Sequence, residues 1–203
     1  ITFARHLGFS IKLLAIGKLV NGKVEARVHP TLVAQEHLLA SVNGVYNAVF
    51  LTGDNAASTL SYGRGAGAAP TGSAVVSDLI DISRTLLQGG KSRIPPLTVM
   101  QEHLKELPVL PIAEVHSEYY LRFQVYDRPG VLAKMTTEMG QRNISIRSMI
   151  QPDQALHPND PVQVILTTHR AKEADIRTSL AQIEKMDFIQ GPTQLIRIER
   201  FTG

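Results

Sequence analysis

The spacing of apolar and polar positions changes several times along this chain, and each change marks an element. Phe3 and Leu7 lie four apart, as on one face of a helix. Residues 11–20 (IKLLAIGKLV) form an apolar run of strand length. Asn21-Gly22, the strongest short hairpin signal, comes next. In the following KVEARVHP the period is two: Val24, Ala26 and Val28 share one face, and Glu25, Arg27 and His29 share the other. A second hairpin is expected over residues 45–62, with strands 45–52 and 58–62 around a turn at Gly53-Asp54-Asn55. From Ser73 to Leu87 the period becomes helical. Val75, Leu79, Ile82 and Leu86 make one stripe, and Val76, Ile80, Ser83 and Leu87 make another beside it. A stripe of that width predicts a helix packed on a sheet.

Gly89-Gly90 can stop that helix. Residues 90–117 hold Pro95, Pro96, Pro108 and Pro111 and show no sustained period, so they read as a linker between a first domain at 1–89 and a second at 118–203. In the second, YYLRFQVYD alternates with Leu121, Phe123 and Val125 on one face. PGVLAKMTTEMGQRN is helical, with Val131, Met135 and Met139 four apart. ISIRSMIQ alternates through Ile144, Ile146 and Ile150, and PVQVILTTH is a third strand. EADIRTSLAQIEKM is a second helix carrying Ile176, Leu180 and Ile183, and TQLIRIE is a last strand. The order β-α-β-β-α-β is the ferredoxin-like arrangement, with two helices on one face of a four-stranded antiparallel sheet. The other face needs a partner or water, which makes pairing of two such units an expectation. The fold class is α+β: an antiparallel or mixed sheet with a packed helix, followed by the ferredoxin-like unit.

Composition narrows the function classes. The chain has 203 residues, 43% apolar and 19% charged, which is ordinary for a soluble globular protein. Its net charge of +3 comes from scattered Lys and Arg with no basic run, which argues against nucleic acid and against membrane surfaces. There is no cysteine, so disulfides and thiol catalysis are excluded, and a cytoplasmic location is expected. The seven histidines show no ligand spacing, so no metal site is expected. No acid-base set or nucleophile elbow is legible, and no catalytic residue is assigned. The sequence opens without Met and inside a helical pattern, so we expect a piece of a longer protein.

Two stretches carry candidate chemistry. YGRGAGAAPTGS (residues 62–73) lacks the Lys-Ser or Lys-Thr of a Walker loop. Gly63 and Gly65 begin a G-x-G-x-x-G pattern, but its third position is Ala68, and the stretch follows antiparallel hairpins rather than the first strand of a parallel unit. It leaves bare backbone beside a helix start, where free N–H groups favour an anionic or polar ligand group. Thr71 or Ser73 is expected to cap that helix. A ligand contact and a plain structural bend both fit these residues. The second stretch is VYDRPGVLAKM, where Asp127 can bond the following turn, Pro129 suits a first helical turn, and Gly130 leaves the helix start open to a small carboxylate. A plain strand-to-helix turn fits equally. Asn143, between helix and strand, is a turn residue first.

Two resemblances go further. YDRPGVLAKMTTEMGQRNISIRSMIQ resembles the opening of an ACT domain, the small amino-acid-sensing module, over roughly residues 119–200. IKLLAIGK, EARVHPTLVAQEHLLASVNGVYNAVFLTGD and YGRGAGAAPTGSAVVSDLIDI together resemble the C-terminal half of the catalytic region of homoserine dehydrogenase. The resemblance implies an NAD(P)-dependent interconversion of L-homoserine and L-aspartate 4-semialdehyde in threonine and methionine biosynthesis. It also implies that the nucleotide-binding domain and the catalytic lysine lie outside this sequence, so the chain alone is inactive. By motif match, Gly67 is the leading contact to the nicotinamide end of NADP or NAD, with Gly65, Ala66 and Gly63 beside it. For the ACT unit the resemblance implies a small effector, L-threonine, at Asp127, Gly130, Val131 and Asn143. Such sites lie between paired units, so a homodimer or higher homo-oligomer is expected. The alternative is a standalone ACT-containing module that senses an amino acid.

Overall fold

In the computed structural model, residues 1–55, 57–90, 99–152 and 160–201 are described. They form two compact units, residues 1–35 with 108–201, and residues 36–107. The first hairpin joins the sheet built by the C-terminal residues.

In the first unit, helix α1 (Thr2–His6) leads into strands β1 (Phe9–Val20) and β2 (Lys23–Ala34). The two pair antiparallel, with Val20 opposite Lys23, so Asn21 and Gly22 alone make the turn. Both have positive φ, 49° and 76°, as a tight two-residue hairpin requires. The C-terminal residues add β5 (His116–Tyr126), α3 (Val131–Gly140), β6 (Ile146–Ile150), β7 (Pro161–Thr168), the two-residue β8 (Ala171–Lys172), α4 (Glu173–Ile183) and β9 (Gln194–Glu199). The sheet order is β1-β2-β9-β5-β7-β6, with β8 on β5. The last four strands of that path are the expected ferredoxin-like unit. β2 extends it by pairing in parallel with β9.

The helical face of this sheet closes as the spacing predicts. Leu121, Phe123 and Val125 from β5, Val131, Met135 and Met139 from α3, and Ile176, Leu180 and Ile183 from α4 share one buried cluster. The opposite face is partly covered from within the chain. Ala4 and Phe9 pack with Leu32, Tyr120, Ile165 and Ile198, and Phe3 and Leu7 lie against them. The expected alternation through Ile150 fails at a register shift between Ile146 and Ser148. The extra residue, Arg147, reverses which side chains face inward, and Met149 and Ile150 are exposed.

In the first hairpin, the alternation is right but the covered face is the charged one. Glu25 and Arg27 are buried, whereas Leu13, Leu19 and Val28 are each about 70% exposed. Spacing tells which side chains share a face; it does not tell which face is covered.

The second unit holds β3 (Tyr46–Gly53), β4 (Ala57–Arg64) and α2 (Ala68–Leu87). The two strands form the expected hairpin. The helix forms as expected but begins at Ala68, five residues before Ser73, and none of its residues is buried. Among the described residues, the packing expected from its wide apolar stripe is not seen.

Candidate functional site

The glycine stretch joins the end of β4 to the start of α2, and its glycines face different demands. Gly67 is the N-cap, with φ 117° and ψ 151°, a conformation essentially reserved for glycine. Gly65 faces a neighbour: a Cβ there would lie 2.4 Å from Asn47 Nδ2. Around Gly63 there is open space within 4 Å. Ala66, between Gly65 and Gly67, is exposed.

Neither Thr71 nor Ser73 caps the helix, a correction to the expectation. The helix starts earlier, so Thr71 is already within it and donates its backbone N–H to Gly67 O at 3.1 Å. The cap is glycine and supplies no side-chain acceptor. The first-turn N–H groups of Ala68 and Ala69 have no intrahelical acceptor, and Pro70 has no N–H to offer. Bare backbone, a left-handed glycine and two forward-pointing donors fit the polar edge of a planar ligand better than a bulky one.

The residues that flank this turn are not singled out by the sequence motifs. Asn47 lies opposite Gly63, and Tyr46 opposite Arg64. Tyr46 stacks on Tyr62 with ring centroids 4.9 Å apart, and the Arg64 guanidinium lies 5.5 Å from the Tyr46 ring. A signal for them exists, since a hairpin turning at residues 53–55 must bring 46–47 opposite 63–64.

The predicted effector residues divide into two places. Asp127 and Gly130 lie in the exposed link between β5 and α3. Gly130 caps the helix in the left-handed conformation at φ 87°, which puts Pro129 before the helix rather than in its first turn. Val131 is the first helical residue and its side chain belongs to the core. Asn143 (φ 55°) follows the other end of α3. Ten residues of helix separate the two places, about 15 Å at the standard rise, so one copy does not bring Asn143 to Gly130. A shallow depression along α3, lined by Ala133, Lys134, Thr137, Glu138, Gln141 and Met186, includes none of the predicted positions.

The spacing gave no sign of a buried polar cluster under this unit. Glu173, at the start of α4, accepts from Tyr119 Oη at 2.9 Å, from Arg177 Nε at 2.9 Å and from Arg197 Nε and Nη2 at 2.8 and 2.5 Å. Burial alone would raise its pKa, but the bonds from Arg197, Arg177 and Tyr119 outweigh it and hold the carboxyl below its ordinary value. Burial, and then the charge of Glu173, push the Tyr119 hydroxyl well above the ordinary tyrosine value. With no titration near neutrality and every oxygen engaged, this cluster holds strands and helix together rather than transferring protons.

The strand order and paired helices of the C-terminal residues define a ferredoxin-like module attached to a hairpin-and-helix region. The ACT domain model matches residues 119–187, and the homoserine dehydrogenase model matches residues 1–80. The two matches, in this order, are what the chain shares with homoserine dehydrogenases that carry an ACT domain. The chain is 42% identical over 200 residues to homoserine dehydrogenase of Pseudomonas aeruginosa, and 39% identical over 199 to that of Neisseria gonorrhoeae. These alignments cover 98% of this chain but 46% and 45% of the relatives, so the chain spans less than half their length. The crystal structure of a homoserine dehydrogenase from Thiobacillus denitrificans superposes with a TM-score of 0.88 at 40% identity, covering 98% of this chain and 44% of that one. One from Staphylococcus aureus, solved at pH 6.0, superposes at 0.60 with 27% identity, covering 100% and 45%.

Proposed function

We propose that this chain is the C-terminal part of a cytoplasmic, NAD(P)-dependent homoserine dehydrogenase in threonine and methionine biosynthesis. The observation that carries the reading is the order of the two family matches, with alignment to such enzymes over 98% of this chain. The chemistry supplied by a bound nicotinamide cofactor, NAD or NADP, is hydride transfer between L-homoserine and L-aspartate 4-semialdehyde. This chain's part is positioning. Gly65, Ala66 and Gly67 present backbone without bulk at the start of α2, and Gly63 keeps the approach along β4 open. The backbone donors of the first helical turn suit the carboxamide end of the cofactor. The ACT module adds feedback by an amino acid, L-threonine, held between Asp127, Gly130 and Val131 of one copy and Asn143 of a second. A paired module, and so at least a dimer, is what would bring these two places together. For L-threonine to regulate, it must bind two states of the enzyme with different affinity.

The test uses the full-length enzyme. Homoserine-dependent reduction of NAD(P)+ is expected, and Gly67→Val is expected to raise KM for the cofactor or abolish activity. Unchanged kinetics in that variant would remove Gly67 from the site. Calorimetry with L-threonine checks the module: no heat and no shift in melting temperature at millimolar ligand would count against sensing.

A further inference from the structure

The ACT module is joined to the first hairpin along β2. Thr31, Leu32 and Val33 pair in parallel with Arg197, Ile198 and Glu199. At the other end of the strand, Val24 N–H donates to Pro108 O at 2.9 Å, and Leu110 N–H donates to Val24 O at 2.8 Å. β2 is thus tied at both ends to the C-terminal residues.

Between these ties lies a buried ion cluster. Arg27 donates from Nε to Glu25 at 2.7 Å and from Nη2 to Glu199 at 2.6 Å, and the second oxygen of Glu199 takes Lys18 Nζ at 2.5 Å. The side chains of Arg27, Glu25 and Glu199 keep only 3%, 6% and 5% of their exposure. Two positive and two negative groups balance, but the hairpin supplies three of them and β9 only Glu199. Separating the strands would therefore unbalance both sides at once. Buried ion clusters of this kind add little net stability, yet lose much when one partner is removed. They also fix register. A slip of one residue along β9 would turn Glu199 to the other face of the sheet, away from Arg27. Leu32 and Val33, both fully buried, fill the apolar part of the same junction.

We propose that this junction is a register lock, through which the hairpin and the ACT module move as one body. The regulatory consequence, that a change in the ACT module reaches the hairpin through β2, rests on the effector reading above. The mechanical lock does not.

Hydrogen exchange by mass spectrometry on the full-length enzyme separates the two. Glu199→Gln and Arg27→Met are expected to speed exchange about tenfold or more across β1, β2 and β9, with the core of β5, β7 and α3 unchanged. Six Gly/Ser residues inserted between Gly89 and Gly90 are expected to change none of these. Protection of the hairpin that survives both substitutions but is lost on insertion would overturn the proposal. Should Glu199→Gln unfold the whole protein, Lys18→Gln decides. It removes only the part-exposed partner, and a loss confined to β1, β2 and β9 supports the lock, whereas unchanged protection overturns it. A last arm adds L-threonine. Slower exchange in β1 and β2 that vanishes in Glu199→Gln, while binding persists, supports the regulatory consequence. No binding to the wild type would refute the effector reading, and the substitutions alone would then decide whether the lock stands.

Discussion

Helices α2 and α3 carry equally legible apolar stripes and have opposite fates. In α3, Val131, Met135 and Met139 are buried against β5, β7 and α4. In α2, Val75, Val76, Leu79, Ile80 and Ile82 are each about half exposed and Leu86 more so. Periodicity encodes a demand for cover, and says nothing of what supplies it. For α3 the cover lies within 60 residues of sequence. For α2 it is not met among the described residues.

The largest effect should come from testing that contrast directly. Met135→Ala is expected to cost about 2–5 kcal/mol, the range for emptying a fully buried site. Leu79→Ala in the same chain should stay within about 0.5 kcal/mol, as for a surface position. Chemical denaturation of residues 1–203 measures both. Equal losses would mean that α2 is covered in solution, and the contrast would collapse.

A smaller effect distinguishes the glycines of the turn. Gly67→Ala forces a side chain into a conformation that costs on the order of 1–3 kcal/mol. Gly63→Ala meets open space and an ordinary backbone. Limited proteolysis of this chain should then cut Gly67→Ala faster around residues 65–70 and leave Gly63→Ala like the wild type. The same rate for both would show that the backbone conformation of Gly67 is not required.

Much of this was legible in the sequence. The Asn21-Gly22 hairpin, the β3–β4 hairpin and the βαββαβ order all follow from local spacing and turn chemistry, because their contacts are close in sequence. The β2–β9 pair was not legible. It joins residues more than 160 apart in parallel, and no local pattern marks a strand edge as open to a distant partner. The buried charges were hidden for a related reason: Glu25, Arg27 and His29 read as a solvated face until Arg27 is known to pair with Glu199. At the glycine turn, the sequence misplaced the helix start, since a glycine cap leaves no side-chain signal and Thr71 and Ser73 imitate one.

His29 gives the smallest effect and the finest probe of the join. Arg27 Nη1 lies 2.8 Å from His29 Nε2, and arginine has only donors, so Nε2 must accept. Nδ1 then carries the proton, placed 3.1 Å from Pro30 O and 3.0 Å from Thr31 Oγ1. A second proton would have to enter at Nε2, facing Arg27. Burial lowers the pKa below the ordinary 6.5; the Pro30 bond and Glu173 oppose this, while Arg197 and Arg27 add to it. The folded state thus takes up the proton at lower pH than the unfolded state. Stability should be fully present above about pH 6.5 and fall as pH drops through that value toward the depressed folded one. His37 shifts the same way through burial, so the two are separated by ring-proton NMR titration rather than by melting alone. His29 is expected to titrate below 6.5 in the wild type and to move back up in Glu199→Gln, as Arg27 loosens. A His29 that titrates at its ordinary value in both would mean that Arg27 does not face it in solution, and that the charged face of β2 is open there.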